Sequence, residues 1–317
     1  LGDGTTTDRS TPTQTSSLGT DRTAIAINAG SLHTCAILDD GSVSCWGWND
    51  YGQLGDGTTT NRNTPTQTSS LGTDRTAIAI TARAEHTCAI LDDGSVSCWG
   101  YNNKGQLGDG TTTDRSTPTQ TSSLGTDRTA VAISAGQHHT CAILDDGSVS
   151  CWGHNGQGRL GDGTSTNRHT PTQTSSLGTD RTAVAITAGR FHTCAILDDG
   201  SVSCWGYNSY GILGDGTTTD RSTPTQTSSL GTDRTAVAIA TGDLHTCAIL
   251  DDGSVSCWGQ NNNGQLGDGT NTLRNTPTQT SSLGTDRTAA LDSTYLPGGG
   301  GTSQTACAAG TYQASTG

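Results

Sequence analysis

A repeat of 53 residues constrains the fold of this chain more than any other feature. The tetrapeptide Leu-Gly-Asp-Gly begins at Leu1, Leu54, Leu107, Leu160, Leu213 and Leu266. Five complete units follow one another, and a sixth breaks off after residue 291. A period near 50 residues is typical of a propeller blade, in which each unit contributes about four short strands.

Composition and strand pattern favour the same architecture. Only 30% of the residues are apolar and 4% are aromatic, which suits many small repeated contacts better than one thick core. Short apolar runs separated by Gly, Asn, Asp and Thr predict strands at 22–27, 33–38, 42–47 and, more weakly, 65–69. We therefore expect an all-β fold, a β-propeller of four-stranded blades with five complete blades and a partial one.

The charge balance excludes several classes of partner. The chain has 29 acidic and 16 basic residues, a formal net charge of −13, and a single lysine, Lys104. Nucleic acids and anionic membranes are recognised by basic surfaces, so neither is an expected partner. No run approaches the roughly 20 apolar residues of a membrane span. Because the chain starts at Leu1 without a visible signal peptide, we expect it to be a mature or excised segment of a longer product.

Ten of the eleven cysteines form five pairs with a constant spacing. If residues 39–41 (Asp-Asp-Gly) form a hairpin loop, Cys35 stands opposite Cys45 on the neighbouring strand. Directly opposed residues have Cβ atoms about 4.5–5.5 Å apart, which is near the reach of a disulfide. The spacing predicts one cross-strand disulfide per blade: Cys35–Cys45, Cys88–Cys98, Cys141–Cys151, Cys194–Cys204 and Cys247–Cys257.

Metal binding is the alternative for these cysteines, because His33 lies two residues before Cys35 on the same strand face. The cysteine spacing does not match a zinc site, however, and we expect disulfides and no metal. Five disulfides indicate an oxidising compartment, so the predicted location is extracellular or at the cell surface. Cys307 has no partner in the pattern, and we expect it to pair outside this segment.

Three strings in each unit resemble the regulator of chromosome condensation repeat family. In the first unit they are Gly-Ser-Leu-His-Thr-Cys at 30–35, Asp-Gly-Ser-Val-Ser-Cys-Trp-Gly at 40–47 and Gly-Gln-Leu-Gly at 52–55. The resemblance covers residues 1 to about 291 and implies the family's propeller, which usually has seven blades. The units depart from the pattern at a few positions, where Arg83 replaces the first Gly and Arg159 replaces the Gln.

The end of the chain carries a second, shorter resemblance. Residues 307–312 (Cys-Ala-Ala-Gly-Thr-Tyr) resemble the start of an ephrin-receptor-like cysteine-rich repeat. The predicted organisation is therefore propeller repeats at 1–291, a Gly-rich linker at 292–306 and the start of a cysteine-rich extracellular module at 307–317.

No arrangement in the sequence points to catalysis or to a cofactor. A histidine (His33 in the first unit) and a tryptophan (Trp46) recur at one scaffold position per unit, which favours packing and hydrogen-bonding roles. The Asp39-Asp40 type pairs lie in hairpin turns, where Asp is favoured for backbone hydrogen bonding. No nucleophile elbow, phosphate loop or zinc-protease motif is present. We expect a protein that is not an enzyme.

Differences between the units concentrate in two loops: the pair of residues before the His, and the four residues after Trp-Gly. In an up-and-down blade these loops share one end, so the variation maps to one face of the disc. Tyr, Asn, Gly and Ser with occasional Trp is the composition of adaptable binding surfaces, although neutral drift of loops would produce variation too. The predicted binding face consists of Leu32, Trp48, Tyr51, Tyr101, Phe191, Tyr207, Tyr210 and Gln260.

Two functions fit these observations. One is a non-catalytic extracellular recognition scaffold whose variable face binds a protein or a glycan. The alternative is a self-assembling structural subunit of an extracellular fibre or coat, with O-glycosylation on the Thr- and Ser-rich outer strands such as 65–69.

Overall fold

A computed structural model describes residues 1–281, which form five four-stranded antiparallel sheets in sequence order. The first sheet contains β1 (Ala24–Ala29), β2 (His33–Leu38), β3 (Val43–Gly47) and β4 (Arg62–Gln67). Each strand pairs with its chain neighbours, so every sheet is an up-and-down blade. The predicted linker, the cysteine-rich start and Cys307 lie outside the described residues.

Four further blades repeat this arrangement, and the predicted all-β propeller of five complete four-stranded blades is confirmed. A single 3-10 turn at Gly156–Gly158 interrupts the third unit. The strands are β5 (Ala77–Arg83), β6 (His86–Leu91), β7 (Val96–Gly100), β8 (Arg115–Gln120), β9 (Ala130–Ala135), β10 (His139–Leu144), β11 (Val149–Gly153), β12 (Arg168–Gln173), β13 (Ala183–Ala188), β14 (His192–Leu197), β15 (Val202–Gly206), β16 (Arg221–Gln226), β17 (Ala236–Thr241), β18 (His245–Leu250), β19 (Val255–Gly259) and β20 (Arg274–Gln279).

The register of the central hairpin matches the one expected from the Asp-Asp-Gly loop. Ile37 pairs with Val43, and Cys35 pairs with Cys45. The outer strand is displaced from its expected position, since β4 begins at Arg62 rather than Pro65. Arg62 pairs with Gly47 across an irregularity in the β3–β4 register, and its guanidinium is held by Asp56 at 2.7 Å.

All five predicted cysteine pairs are bonded, each with a Cα–Cα distance of 4.1 Å. Each bond joins the two middle strands of a blade. In the first four blades both sulfurs lie in the core and are shielded from solvent. The cysteines are therefore structural, and the five bonds indicate folding in an oxidising environment.

The core lies between adjacent blades and not at a common centre. One continuous cluster joins Trp152 of the third blade to Cys88, Ile90 and Leu107 of the second. The indole packs so closely against the preceding unit that a Cβ at Gly108 would approach its Nε1 within 2.8 Å. One tryptophan per blade thus fills each interface, which is how a chain with few apolar residues buries a core.

Replacing an interface tryptophan should be far more damaging than replacing a tryptophan on the loops. Trp152→Ala removes a side chain that is 0% exposed, and we expect it to lower the free energy of unfolding by about 3–5 kcal/mol. Trp48→Ala is the matched control, because Trp48 is half-buried outside the blade interfaces, and its loss should be about 1 kcal/mol or less. Guanidinium denaturation followed by circular dichroism measures both. Equal losses would contradict the assignment of the core to the interfaces.

A hydrogen-bonded ladder also links the blades. His33 Nε2 lies 2.9 Å from the Thr87 hydroxyl of the next blade, and that hydroxyl donates to the Gln53 carbonyl at 2.9 Å. Since the hydroxyl proton is used on the carbonyl, Nε2 must carry the imidazole proton and donate it. The same bond recurs at three further junctions: His86 to Thr140, His139 to Thr193 and His192 to Thr246. The repeated histidine is a structural group in this ladder.

At the opposite end of the blades, the Asp-Asp-Gly turn contacts the next unit. The Gly41 carbonyl accepts a hydrogen bond from the Ala77 amide at 2.8 Å. Gly41 has φ +76°, and a Cβ there would lie 2.4 Å from the Cβ of Thr76. Both the positive φ and the close approach require glycine, so the turn serves as an inter-blade joint.

Candidate binding face

The two variable loops of every blade are bonded to each other. In the first blade the Trp48 amide donates to the Leu32 carbonyl at 2.8 Å. Equivalent bonds join Tyr101 to Glu85, His154 to His138, Tyr207 to Phe191 and Gln260 to Leu244. The loops between the first and second strands and between the third and fourth strands therefore lie together at one end of each blade. We call this end the variable face.

An invariant core of hydrogen bonds supports the longer of these loops. Asn49 is 0% exposed, its Oδ1 accepts the Leu54 amide at 2.9 Å, and its Nδ2 donates to the Thr60 carbonyl at 3.1 Å. Asn102, Asn155, Asn208 and Asn261 occupy the same position and are equally buried. The loop backbone is thus fixed by repeated residues, while the neighbouring positions are free to differ.

Three of the predicted face residues form one aromatic cluster. Trp48 and Tyr51 pack edge to face with ring centroids 5.3 Å apart, and Tyr51 lies 4.5 Å from Tyr101. His138 of the third blade extends this row, with its ring 6.0 Å from Tyr101. The first aromatic cluster therefore crosses the boundaries between blades one, two and three.

A second aromatic cluster lies on the fourth blade of the face, at its boundary with the third. Phe191 and Tyr207 have ring centroids 5.8 Å apart, and Tyr207 and Tyr210 are 6.1 Å apart. The guanidinium carbons of Arg159 and Arg190 lie 5.4 and 4.9 Å from the Phe191 centroid. Such contacts are attractive cation–π interactions.

The remaining predicted face residues join neither cluster. The side chain of Leu32 is 65% exposed, and its carbonyl accepts the hydrogen bond from the Trp48 amide. Gln260 is half-buried, and its amide is bound to Leu244. Among residues 1–281 no aromatic ring contact joins the first cluster to the second. The predicted residues therefore occupy two separate patches.

A polar network joins three blades at this end. Arg83 of the second blade donates to the carbonyls of Ala188 and Thr241, each at 3.3 Å, in blades four and five. Its guanidinium also contacts Asp243 at 3.2 Å, and Asp243 lies 3.4 Å from Arg190. The four other complete units have Gly where Arg83 stands. One departure from the repeat thus ties together blades that are distant in the sequence.

Sequence reasoning did not assign the basic residues of this face to the site. Within residues 1–281, every basic residue outside the repeat pattern lies here: Arg83, Lys104, Arg159 and Arg190. The repeated arginines instead pair with repeated aspartates, as in Arg62–Asp56 and Arg128–Asp146. The signal was present as a departure from the repeat, because Arg159 stands where other units have Gln or Ile.

Burial and the local charges shift several pKa values at this face. Burial and then the nearby cations Arg159 and Lys104 lower the pKa of His138 to about 4. Burial and then Arg159, His138 and Lys104 lower the pKa of His154 to about 4. Burial raises the pKa of Glu85 and lowers that of Arg159 to about 10. Both histidines are therefore neutral at physiological pH.

The metal alternative finds no support at the cysteines, since their sulfurs are bonded to each other and His33 is hydrogen-bonded to Thr87. The described part of the chain contains no group of three or more His, Cys, Asp or Glu side chains placed to hold a metal ion. Between residues 1 and 281 there is also no helix with the length and apolar character of a membrane span.

The fold and the face together define a β-propeller in which each blade contains one disulfide and which presents one variable loop surface. A family model described as the RCC1-like domain matches residues 1–310, and the chain belongs to this family. It is 33% identical over 280 residues to the ultraviolet-B receptor UVR8 of Arabidopsis thaliana, covering 88% of this chain and 62% of that protein. It is 32% identical over 255 residues to the E3 ubiquitin-protein ligase HERC2 of Homo sapiens, covering 80% of this chain and 5% of that protein.

Two solved structures share the fold at lower identity. Human WBSCR16 superposes with a TM-score of 0.72 at 22% identity, covering 83% of this chain and 68% of the other. Yeast RCC1 (Prp20) in its complex with Kap60 gives 0.71 at 20% identity, covering 81% and 63%. At these identities the similarity shows the fold alone.

Proposed function

We propose that this chain is a non-catalytic extracellular recognition module that binds a protein partner through its variable face. The observation that carries the proposal is the convergence of non-repeated residues. Five blades that are otherwise nearly identical differ in two loops, and a backbone hydrogen bond brings those loops together in every blade. A purely structural repeat has no need to concentrate its differences on one surface.

The chemistry of the face supports a protein partner. Interface hot spots are enriched in Trp, Tyr and Arg, and the two clusters consist largely of these residues. Their rings are half-buried and packed against each other, for example Trp48 on Tyr51. Little conformational entropy is then lost when a partner covers them. The yeast RCC1 (Prp20) structure named above contains a bound protein, Kap60.

The five disulfides support the extracellular part of the proposal, because such bonds persist in oxidising compartments. A fibre or coat subunit is the second candidate, and one observation favours it. The outer strands carry exposed threonines, among them Thr117, Thr170 and Thr223, which are accessible for O-glycosylation. Polymers in purified native material, with sugars on these threonines, would favour that candidate.

Substitution of the first aromatic cluster tests the recognition function. We expect the variant Trp48→Ala/Tyr51→Ala/Tyr101→Ala to capture at least 10-fold less of any specific protein partner than the parent does, because the substitutions remove the packed rings. The parent and the variant, immobilised at equal density, are exposed to an extracellular protein fraction of the source organism, and the captured proteins are quantified by mass spectrometry.

The control variant carries its substitutions at the opposite end of the first two blades. Asp40→Ala/Asp93→Ala changes exposed residues of the Asp-Asp-Gly turns and should retain the partners of the parent. Circular dichroism verifies that both variants are folded. Identical partner lists and amounts for all three proteins would contradict recognition through the variable face.

A further inference from the structure

The third blade buries a positive charge that no carboxylate among residues 1–281 neutralises. Arg159 is 1% exposed. Its three hydrogen bonds go to neutral oxygens: the Gly156 carbonyl at 3.0 Å, the Arg190 carbonyl at 3.2 Å and the Gln157 side chain at 2.8 Å. A buried cation without an anionic partner destabilises the fold. Units one, two and five have Gln at this position, so the scaffold itself does not require the charge.

Further cations surround this residue at the surface. Arg190 stacks on the same Phe191 ring as Arg159, its guanidinium carbon 4.9 Å from the centroid. Its side chain is 45% exposed and lies 3.4 Å from Asp243, a carboxylate that it shares with Arg83 at 3.2 Å, so the two arginines are only partly neutralised. Lys104 is half-buried, and within the described residues it forms no ion pair with a carboxylate. Both residues lie within electrostatic range of His138.

This arrangement differs from the rest of the molecule. The net charge is −13, and the repeated arginines are neutralised by their own aspartates, as in Arg168–Asp162 at 2.7 Å. An anionic partner is therefore repelled by most of the surface and attracted at this one place. Complementary charge of this kind fixes the orientation and raises the association rate of a complex.

We propose that the face around Lys104, Arg159 and Arg190 binds the carboxylates of an acidic segment of a partner protein, between the aromatic walls formed by Tyr101 and Phe191. The inference rests on the proposed function and specifies the partner's chemistry. Lys104 and Arg190 contact the carboxylates. Arg159 lies beneath them, and its positive charge attracts the carboxylates electrostatically. The Phe191 ring holds the guanidinium groups of Arg159 and Arg190 in place. His138 and His154 are neutral and line the site without adding repulsion among the cations.

A fluorescein-labelled decaglutamate peptide with blocked ends is the probe, and its binding is measured by anisotropy in 150 mM NaCl. We expect saturable binding to the parent. Lys104→Glu/Arg190→Glu should weaken it at least 10-fold. Arg159→Gln, which restores the residue of other units, should weaken it about 3-fold without loss of stability.

The control variant Arg22→Glu/Arg128→Glu makes the same change in net charge at the opposite end of the blades, and should alter affinity less than 2-fold. Equal weakening by both double variants, or no binding to the parent, would overturn the proposal. Tenfold tighter binding of a galacturonate decamer would overturn it in favour of an acidic polysaccharide. These results are independent of the capture experiment, in which the aromatic variant keeps all three cations, so failure of the acidic specificity is distinguishable from failure of the recognition function.

Discussion

Reduction of the five disulfides should unfold the propeller at neutral pH and 37 °C. Each bond closes a short loop with a sequence separation of 10, and in the chain-entropy account such a bond stabilises by roughly 2–3 kcal/mol. Together they contribute about 10 kcal/mol or more, which is comparable with the whole stability of a typical domain. Guanidinium denaturation with and without a phosphine reductant, followed by circular dichroism, measures the loss. A reduced protein that keeps the midpoint of the oxidised one would contradict the prediction.

Two double variants separate the effect of loop closure from that of packing. Cys141→Ala/Cys151→Ala removes a bond that lies inside a blade interface, where both sulfurs are 0% exposed. Cys247→Ala/Cys257→Ala removes a bond of equal loop length in the fifth blade, where Cys247 is only half-buried. We expect the first variant to lose more stability, since the entropic contribution is the same and only the packing differs. An equal loss would show that packing around the sulfurs contributes nothing.

The architecture was predictable because the sequence repeats itself. A unit that contains one Cys pair, one Trp and one short hairpin loop cannot bury its apolar side alone, so its neighbours must cover it. The opposed cysteines Cys35 and Cys45 follow from counting across residues 39–41. The start of the outer strand was predicted three residues too late, because Arg62 is fixed by a side-chain bond to Asp56 and not by a hydrophobic pattern.

The details of the binding face were less predictable. Sequence comparison between units identified the loops, but it could not show that the aromatic residues form two separate clusters. The Arg83 network joins residues 158 positions apart, and no local pattern encodes such a contact. The charge on Arg159 was visible as a departure from the repeat, yet only its burial without a carboxylate gives that departure a meaning. Positions that repeat in every unit thus predict the structural framework. The role of a residue that departs from the repeat depends on its three-dimensional surroundings, which the sequence does not give.

Mild acid should destabilise the protein well above the pH at which its carboxylates become protonated. The ladder histidines are buried and neutral: burial lowers the pKa of His33 to about 4 and, as the largest cause, the pKa values of His86 and His192 to about 3. The ordinary value is 6.5. Below pH 6.5 the unfolded chain therefore binds protons that the native state does not bind. The free energy of unfolding should fall by up to about 1.4 kcal/mol per pH unit for each such histidine, between pH 6.5 and about 4.

Aspartates contribute in a separate range. Hydrogen bonds from Thr5 and Arg9 lower the pKa of Asp3 to about 2, and such groups lose their stabilising effect only as the pH falls below the ordinary value of 3.8. The slope between pH 6.5 and 4.5 thus reports the histidines. Denaturation midpoints measured at half-unit intervals of pH give this slope.

A histidine that is not in the ladder provides the control for this prediction. His86→Gln keeps a side-chain N–H that can donate to Thr140 but cannot titrate, so the slope between pH 6.5 and 4.5 should become about one seventh smaller, because the four ladder histidines share it with His138, His154 and His245, whose pKa values are also lowered. His169→Gln changes an exposed histidine on the outer strand β12 and should leave the slope of the parent. If both variants gave the parent's slope, the neutral buried imidazoles would not be the source of the acid sensitivity. The ladder would then have to accept protonated histidines at the blade junctions.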